Sequence, residues 1–286
     1  MRLIVVPIAD RPECRIALDA AFRIAKNVGA DVAGYHMRAH RSESRASREN
    51  PLTPHAASRQ IPAVAVDAVL DSKGAHALYQ RAVARHGFVI ARRAVARKRS
   101  RAFWSELVGT PARIFEIVGP VADLAVVSRP KIRSAGHAKA FLLAALLHSV
   151  KPVLVMPQKR RPSIGKRIVI AWNQSTEAAL AVAAGLPLLT RAERVVIVSS
   201  GPENRLGPKA AHLAKYLAHW DVDAALVRAP GRNVEQELVD AYRKADGDLF
   251  LMGAYSRSRI RELVFGGVTE HMLFKTDVPV FTLHRC

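Results

Sequence analysis

The run "RIVIAWNQSTEAALAVAAGLPLL" (residues 167–189) decides the fold once it is set beside "LIVVPIADRPECRIALDAAFRIA" (residues 3–25). Each starts with a short β-branched apolar run, turns within a few polar residues, and continues as an alanine-rich stretch with helical spacing. The echo extends to the ends of both segments. "ADLAVVSRP" (122–130) and "GDLFLMGAY" (247–255) each place a small residue and an aspartate before an apolar run, and "KPVLVMP" (151–157) parallels "VPVFTLH" (278–284). The chain therefore carries two copies of one supersecondary plan, with the break near residue 160 in the polar stretch "PQKRRPSIG" (157–165). The copies divide the chain into domains 1–160 and 161–286.

The second copy is the cleaner one. Its pattern predicts strands near 166–172, 194–200, 223–228, 248–252 and 279–283, and helices over 175–190, 207–219, 233–245 and about 267–275. Strands alternating with helices imply βαβ crossovers and a parallel sheet. The strands are nearly continuous apolar runs, as expected where helices cover both faces. Asn233 is the expected N-cap of the third helix, with acids in the first turn. The first copy is stretched: about 120 residues separate its first strand from its "DL" strand, against about 80 in the second. A long polar loop over 39–62 and a helix over 65–86 account for much of this, and "FVIARRAV" (88–95) reads as either a strand or a continued helix.

Charge is unevenly placed. Residues 1–162 hold 28 Lys+Arg against 11 Asp+Glu, and residues 163–286 hold 16 against 13, so the excess belongs to the first copy. It is densest in "RHGFVIARRAVARKRSR" (85–101). Such a patch is a solvated basic face or a surface for an acidic partner or nucleic acid. Cys14 and Cys286, near opposite ends, argue against a disulfide framework and for a reducing compartment. The apolar run at the N-terminus ends at Asp10 and does not read as a signal peptide. "AFLLAALLHSVKPVLVMP" (140–157) is interrupted by His148, Lys151 and Pro152 and does not read as a membrane span. The expectation is a cytoplasmic protein.

"RIVIAWNQSTEAALAVAAGLP", "DLFLMGAYSRSRIRELVFGGVTEHML" (248–273) and "DVPVF" (277–281) resemble the universal stress protein family in its tandem form. The resemblance covers essentially the whole chain and is weak between 39 and 110. It implies two Rossmann-like α/β domains, each a five-stranded parallel sheet of order 3-2-1-4-5 flanked by helices. It also implies pairing of the two copies through their last strands, an internal pseudo-dimer that a further homodimer could extend. Many family members bind ATP through a loop after the fourth strand: Gly, two residues, Gly, nine residues, Gly, then Ser or Thr. Here Gly253 matches the first glycine, Ser256 replaces the second, Gly266 matches the third, Gly267 replaces the hydroxyl residue, and Thr269 follows two positions late. Asn173 stands where the family has an acid after the first strand, near the ribose or a metal. The resemblance thus implies a stress-response role, with ATP and Mg²⁺ as cofactors of the second copy if the altered loop still holds phosphate, and at most weak ATPase activity.

Two readings of that loop stand. Ligands on open parallel sheets bind beyond the carboxyl ends of strands where the order reverses. A glycine there lets backbone approach a ligand, a helix N-terminus offers free N–H groups, and Arg257, Arg259 and Arg261 add charge. Against this, a serine at 256 disfavours the backbone conformation a glycine adopts, although its hydroxyl could itself bind a phosphate; Gly267 brings no hydroxyl, and Glu270 in the helix's first turn could cap it in place of an anion. The other reading is a glycine-bearing turn that feeds a helix. In the first copy the spaced motif is gone and only Gly136 remains, so that copy reads as structural or as a recognition surface.

No enzyme constellation stands out: there is neither a Gly-x-Ser-x-Gly elbow nor a Walker loop. His36 and His40 in "HMRAH" read as ordinary histidines near a strand end rather than metal ligands. Cys14 reads as a small core residue, and Trp172 as either an adenine contact or a cover for the sheet edge. A nucleotide-independent binding module, using the basic first copy, is the alternative to the ATP reading.

Overall fold

The computed structural model describes residues 1–38, 72–94, 100–130, 135–204, 206–254 and 267–284. The first five strands are β1 (Leu3–Ile8), β2 (Asp31–Arg38), β3 (Ala102–Val108), β4 (Leu124–Ser128) and β5 (Val153–Met156). Helices α1 (Pro12–Val28), α2 (Ser72–His86), α3 (Pro111–Val118) and α4 (Ala135–His148) connect them. The last five are β6 (Arg167–Ala171), β7 (Arg194–Ser200), β8 (Ala224–Ala229), β9 (Leu249–Ala254) and β10 (Val280–His284). Between them lie α5 (Thr176–Leu189), α6 (Ala210–Ala218), α7 (Val234–Lys244) and the short α8 (Gly267–Glu270), which continues as a π turn over His271–Lys275.

All ten strands join one sheet in the order β3-β2-β1-β4-β5-β10-β9-β6-β7-β8. Each set of five is parallel and has the order 3-2-1-4-5. The sets meet at one antiparallel pair, with Val280, Phe281 and Thr282 opposite Val155, Leu154 and Val153. Alternate strand residues feed two apolar layers. Ile168 and Ile170 join the layer holding α1, α2, α5 and α6, while Val169 joins the one holding α7 and the π turn. This is why the strands read as unbroken apolar runs.

Local chemistry sets the helix ends. Ser175 Oγ accepts from Ala178 N at 3.2 Å to open α5, and Asn233 Oδ1 accepts from Gln236 N at 3.2 Å to open α7. Gly29 closes α1 in the left-handed region at φ 71°. The two "DL" aspartates do the same work in both copies. Asp123 Oδ2 takes the Leu3 amide at 2.9 Å, and Asp248 Oδ1 takes the Arg167 amide at 3.0 Å, so each ties the start of its copy's fourth strand to its first.

The undecided stretch resolves as neither a full strand nor helix. α2 ends at His86, and Val89–Ala91 then lies beside β3, with Ala102 N donating to Val89 O at 3.0 Å and Ile90 bridging Ala102 in parallel. The polar loop 39–62 lies outside the described residues. Among the described residues no helix is long and apolar enough to cross a membrane.

Candidate functional site

The sheet brings Asn173 and Gly253 together. β6 and β9 are parallel neighbours with Ile170 opposite Leu251, so both residues stand at adjacent carboxyl ends, where the strand order reverses. Ser256 and Gly266, together with Arg257, Arg259 and Arg261, lie outside the described residues. Gly267 and Thr269 fall in α8, and Thr269 is buried.

Each described member of the motif is engaged within the protein. A Cβ at Gly253 would lie 2.5 Å from the Ala178 nitrogen and 2.6 Å from the Glu177 carbonyl carbon. The glycine is thus required by the close approach of α5 to β9. Asn173 Oδ1 accepts from Ser175 N at 3.2 Å, which shapes the turn into α5. At Gly267 a Cβ would lie 2.8 Å from Glu235 Oε1, so a carboxylate from α7 occupies the approach to the start of α8. Negative charge there opposes a phosphate. Glu270 pairs with Lys275 at 3.1 Å. At α8, then, the Glu235 carboxylate faces Gly267.

The loop after β7 covers the same strand end. Trp172 is buried, and its Nε1 donates to Pro208 O at 2.8 Å, while Gln174 Nε2 donates to Gly207 O at 3.1 Å. Trp172 is therefore a structural cover rather than an exposed adenine platform. Next to it the Gly231, Arg232 and Asn233 amides converge on the Glu237 carboxylate at 2.8–3.3 Å. The Ser200 hydroxyl donates to it at 2.6 Å, and this bond, followed by the amides, holds the Glu237 carboxyl below its usual range. That concavity of amides has the chemistry of an anion nest, and the chain supplies its own anion. Sequence reading had assigned Glu237 only to the helix's first turn; its spacing from Gly231 is the signal that points further.

The first copy differs at the matching positions. Ser128 stands in place of Gly253 and donates from Oγ to Glu13 O at 2.9 Å. The cavity between the ends of β1 and β4 measures about 40 Å³ and is bordered by Cys14 and Phe141. Burial pushes the Cys14 thiol up to about 11, which suits an inert core residue. His36 lies two residues before the end of β2, fully buried, with Nδ1 2.9 Å from Ile8 O; His40 lies outside the described residues. No group of three or more metal-ligating side chains occurs among the described residues.

The basic first copy forms a continuous surface. A groove of about 1060 Å³ runs past Lys26, Phe88–Ala91, Arg92, Arg93 and Arg101. It shares His86 with a second hollow of about 560 Å³, lined by Arg23, Arg85, Arg160 and Arg161, where Asp19 is the one acid.

No family model matches the chain. It is 30% identical over 156 residues to a universal stress protein of Synechocystis, covering 51% of this chain and 52% of that one. A universal stress protein from Archaeoglobus fulgidus superposes with a TM-score of 0.68 at 12% identity, covering 99% of this chain and 98% of its own. Another, from Pseudomonas aeruginosa, gives 0.59 at 15% identity, covering 99% and 93%. At these identities the superpositions show the fold; the Synechocystis match supplies the sequence relationship.

The chain is similar to universal stress proteins in sequence over half its length and in fold over nearly all of it. It spans about half the length of the curated relative it matches. At the end of β9, α5 packs on Gly253, and a carboxylate faces Gly267 at the start of α8.

Proposed function

We propose that this chain is a universal stress protein acting in the cytoplasmic stress response as a nucleotide-independent docking module, paired internally through β5 and β10, whose basic face takes an extended polyanion of the nucleic-acid type. The observation that carries this is the groove of about 1060 Å³ in which Lys26, Arg92, Arg93 and Arg101 converge, continued past His86 by Arg23 and Arg85. Exposed cations along a groove attract phosphates by counterion release and specify no base. Val89 and Ile90, both exposed, add apolar surface along the same groove.

The experiment is fluorescence anisotropy of a labelled single-stranded oligonucleotide, titrated with the full chain across a salt series. Four phosphate contacts give a slope of log affinity on log salt of about −3, and Arg92→Ala with Arg93→Ala lowers its magnitude by about 1 to 1.5. A slope near zero, or one untouched by the double change, sinks the reading. Tighter binding of an acidic peptide than of the oligonucleotide reassigns the groove to a protein partner.

ATP remains the second reading because Asn173 and Gly253 stand on adjacent strand ends at the reversal of strand order. Heat-released small molecules from freshly purified protein, separated by ion exchange, test it. Adenine nucleotide at near one equivalent would favour ATP, with Mg²⁺ as its companion.

A further inference from the structure

The C-terminal half contains a cavity of about 480 Å³ that lies outside the 1060 Å³ basic groove and shares only Arg161 with the second basic hollow. It opens between α7 and the π turn, with Arg161 closing one side. Tyr242, Arg161 and Val278 stand just before β9, β6 and β10 begin, whereas the glycine loop follows the end of β9.

Two features make it a built site rather than a surface dent. The first is its charge: Arg161, Arg243, His271 and Lys275 line it, and Asp277 is the acid among the lining residues, itself exposed at the rim. The second is a set of buried donors with no partner among the described residues. Tyr242 is 4% exposed, yet its hydroxyl has none. Arg161 donates from Nη2 to Asp277 O, but its buried Nε is likewise unpaired. A third unpaired donor, Arg129 Nη1, belongs to a guanidinium within electrostatic reach of Arg161 and Asp277. Buried donors left open are rare in folded proteins and call for an occupant. The donors here are a hydroxyl and guanidinium nitrogens, which match an oxyanion and offer nothing to a cation.

We propose that this cavity binds a small, multiply charged oxyanion of the phosphate class, with Tyr242 and Arg161 donating from within and Arg243 and Lys275 at the mouth. The volume admits a phosphate carrying a small organic group. The cavity shares Arg161 with the second basic hollow, but Tyr242, Arg243 and Lys275 border neither hollow, so substitutions at these three separate the site from the polyanion reading.

The test is calorimetric titration of the full chain with sodium phosphate and with pyrophosphate, against sodium chloride at matched ionic strength. Saturable binding is expected for wild type. Arg243→Ala is expected to weaken it about tenfold, as loss of a charge-assisted contact does. Tyr242→Phe, which keeps the ring against Phe250 and removes only the hydroxyl, is expected to weaken it about fivefold. The pair Arg92→Ala and Arg93→Ala, on the basic groove, is expected to leave it unchanged. The proposal is overturned if wild type shows no more heat than with chloride, or if Tyr242→Phe and Arg243→Ala bind as wild type does. It is equally overturned if the groove substitutions abolish binding while the cavity substitutions do not.

Discussion

The guanidinium of Arg129, just after β4, donates from Nε to the carbonyl of Leu273 at 2.7 Å, across 144 residues of sequence. Its Nη2 also donates to Met272 O at 2.9 Å and Val278 O at 2.7 Å. One buried side chain from the first copy thus satisfies carbonyls that the last helical turn of the second copy leaves open. Burial pulls the Arg129 pKa down to about 10, so the group stays charged at neutral pH.

Replacing Arg129 with Met removes the buried charge but takes its donor from the Leu273 and Val278 carbonyls, while Met272 O keeps the Thr276 hydroxyl at 3.0 Å. The expected loss is about 3 kcal/mol, read as a lower urea midpoint. Arg129→Lys is expected to recover only part of it, because a single ammonium cannot reproduce the planar fork. Equal stability of Arg129→Met and wild type would falsify this role.

Gly253→Ala drives a methyl into the first turn of α5, 2.5 Å from the Ala178 nitrogen. Backbone cannot yield as a side-chain tip can, so the expected cost is about 2–3 kcal/mol in thermal or denaturant unfolding. Ser128→Gly in the first copy removes one hydroxyl bond and is expected to cost about 1 kcal/mol. If Gly253→Ala proves neutral, the packing account of this glycine is wrong.

Asp123 and Asp248 hold equivalent amides in the two copies. Asp248→Asn and Asp123→Asn are each expected to cost about 1–2 kcal/mol, because an amide NH₂ turned toward backbone N–H groups leaves donors facing donors. The sites are distant, so the double substitution is expected to sum the two losses to within about 0.5 kcal/mol. Strong non-additivity in chemical denaturation would overturn the view that the copies use these aspartates independently.

Acid sensitivity follows from His284 and from three carboxylates held below their usual range, Glu237, Glu106 and Glu193. Burial lowers the His284 pKa below 6.5, so its contribution is complete above pH 6.5 and is lost as pH falls through the lower folded value. The Ser200 hydroxyl and the neighbouring amides lower Glu237 below 4.5, so its contribution is complete above pH 4.5 and is lost as pH falls through its folded value. Stability measured by urea unfolding is expected to decline in two stages on acidification. His284→Gln is expected to remove the first stage and Glu237→Gln to reduce the second, which Glu106 and Glu193 share, with faster amide exchange at Gly231 and Arg232. A profile that keeps its shape in both variants refutes the assignment.

Much of the fold was legible because its signals are local. β-branched runs, the Asn233 cap and the repeated "DL" aspartates are each written within a few residues, and the structure places strands and that cap where they point. The segment 88–95 was not legible: whether Val89–Ala91 extends depends on Ala102, a partner eleven residues on that periodicity does not reveal. The candidate site was legible only as geometry. Spacing located Gly253 and Asn173 at neighbouring strand ends, yet nothing near them in sequence announced that Glu235 would stand against Gly267, or Pro208 against Trp172.

By itself the amino-acid order determined that the chain is a doubled α/β unit with an open parallel sheet in each copy, since hydrophobic period and helix caps act over short range. Only the tertiary structure decided what fills the strand ends and what joins the copies. The Glu235 carboxylate at α8, the unpaired donors around Tyr242 and the Arg129 clasp all bring together groups far apart in the chain. Their energies depend on burial and on the direction of each donor, and neither exists until the sheet has formed.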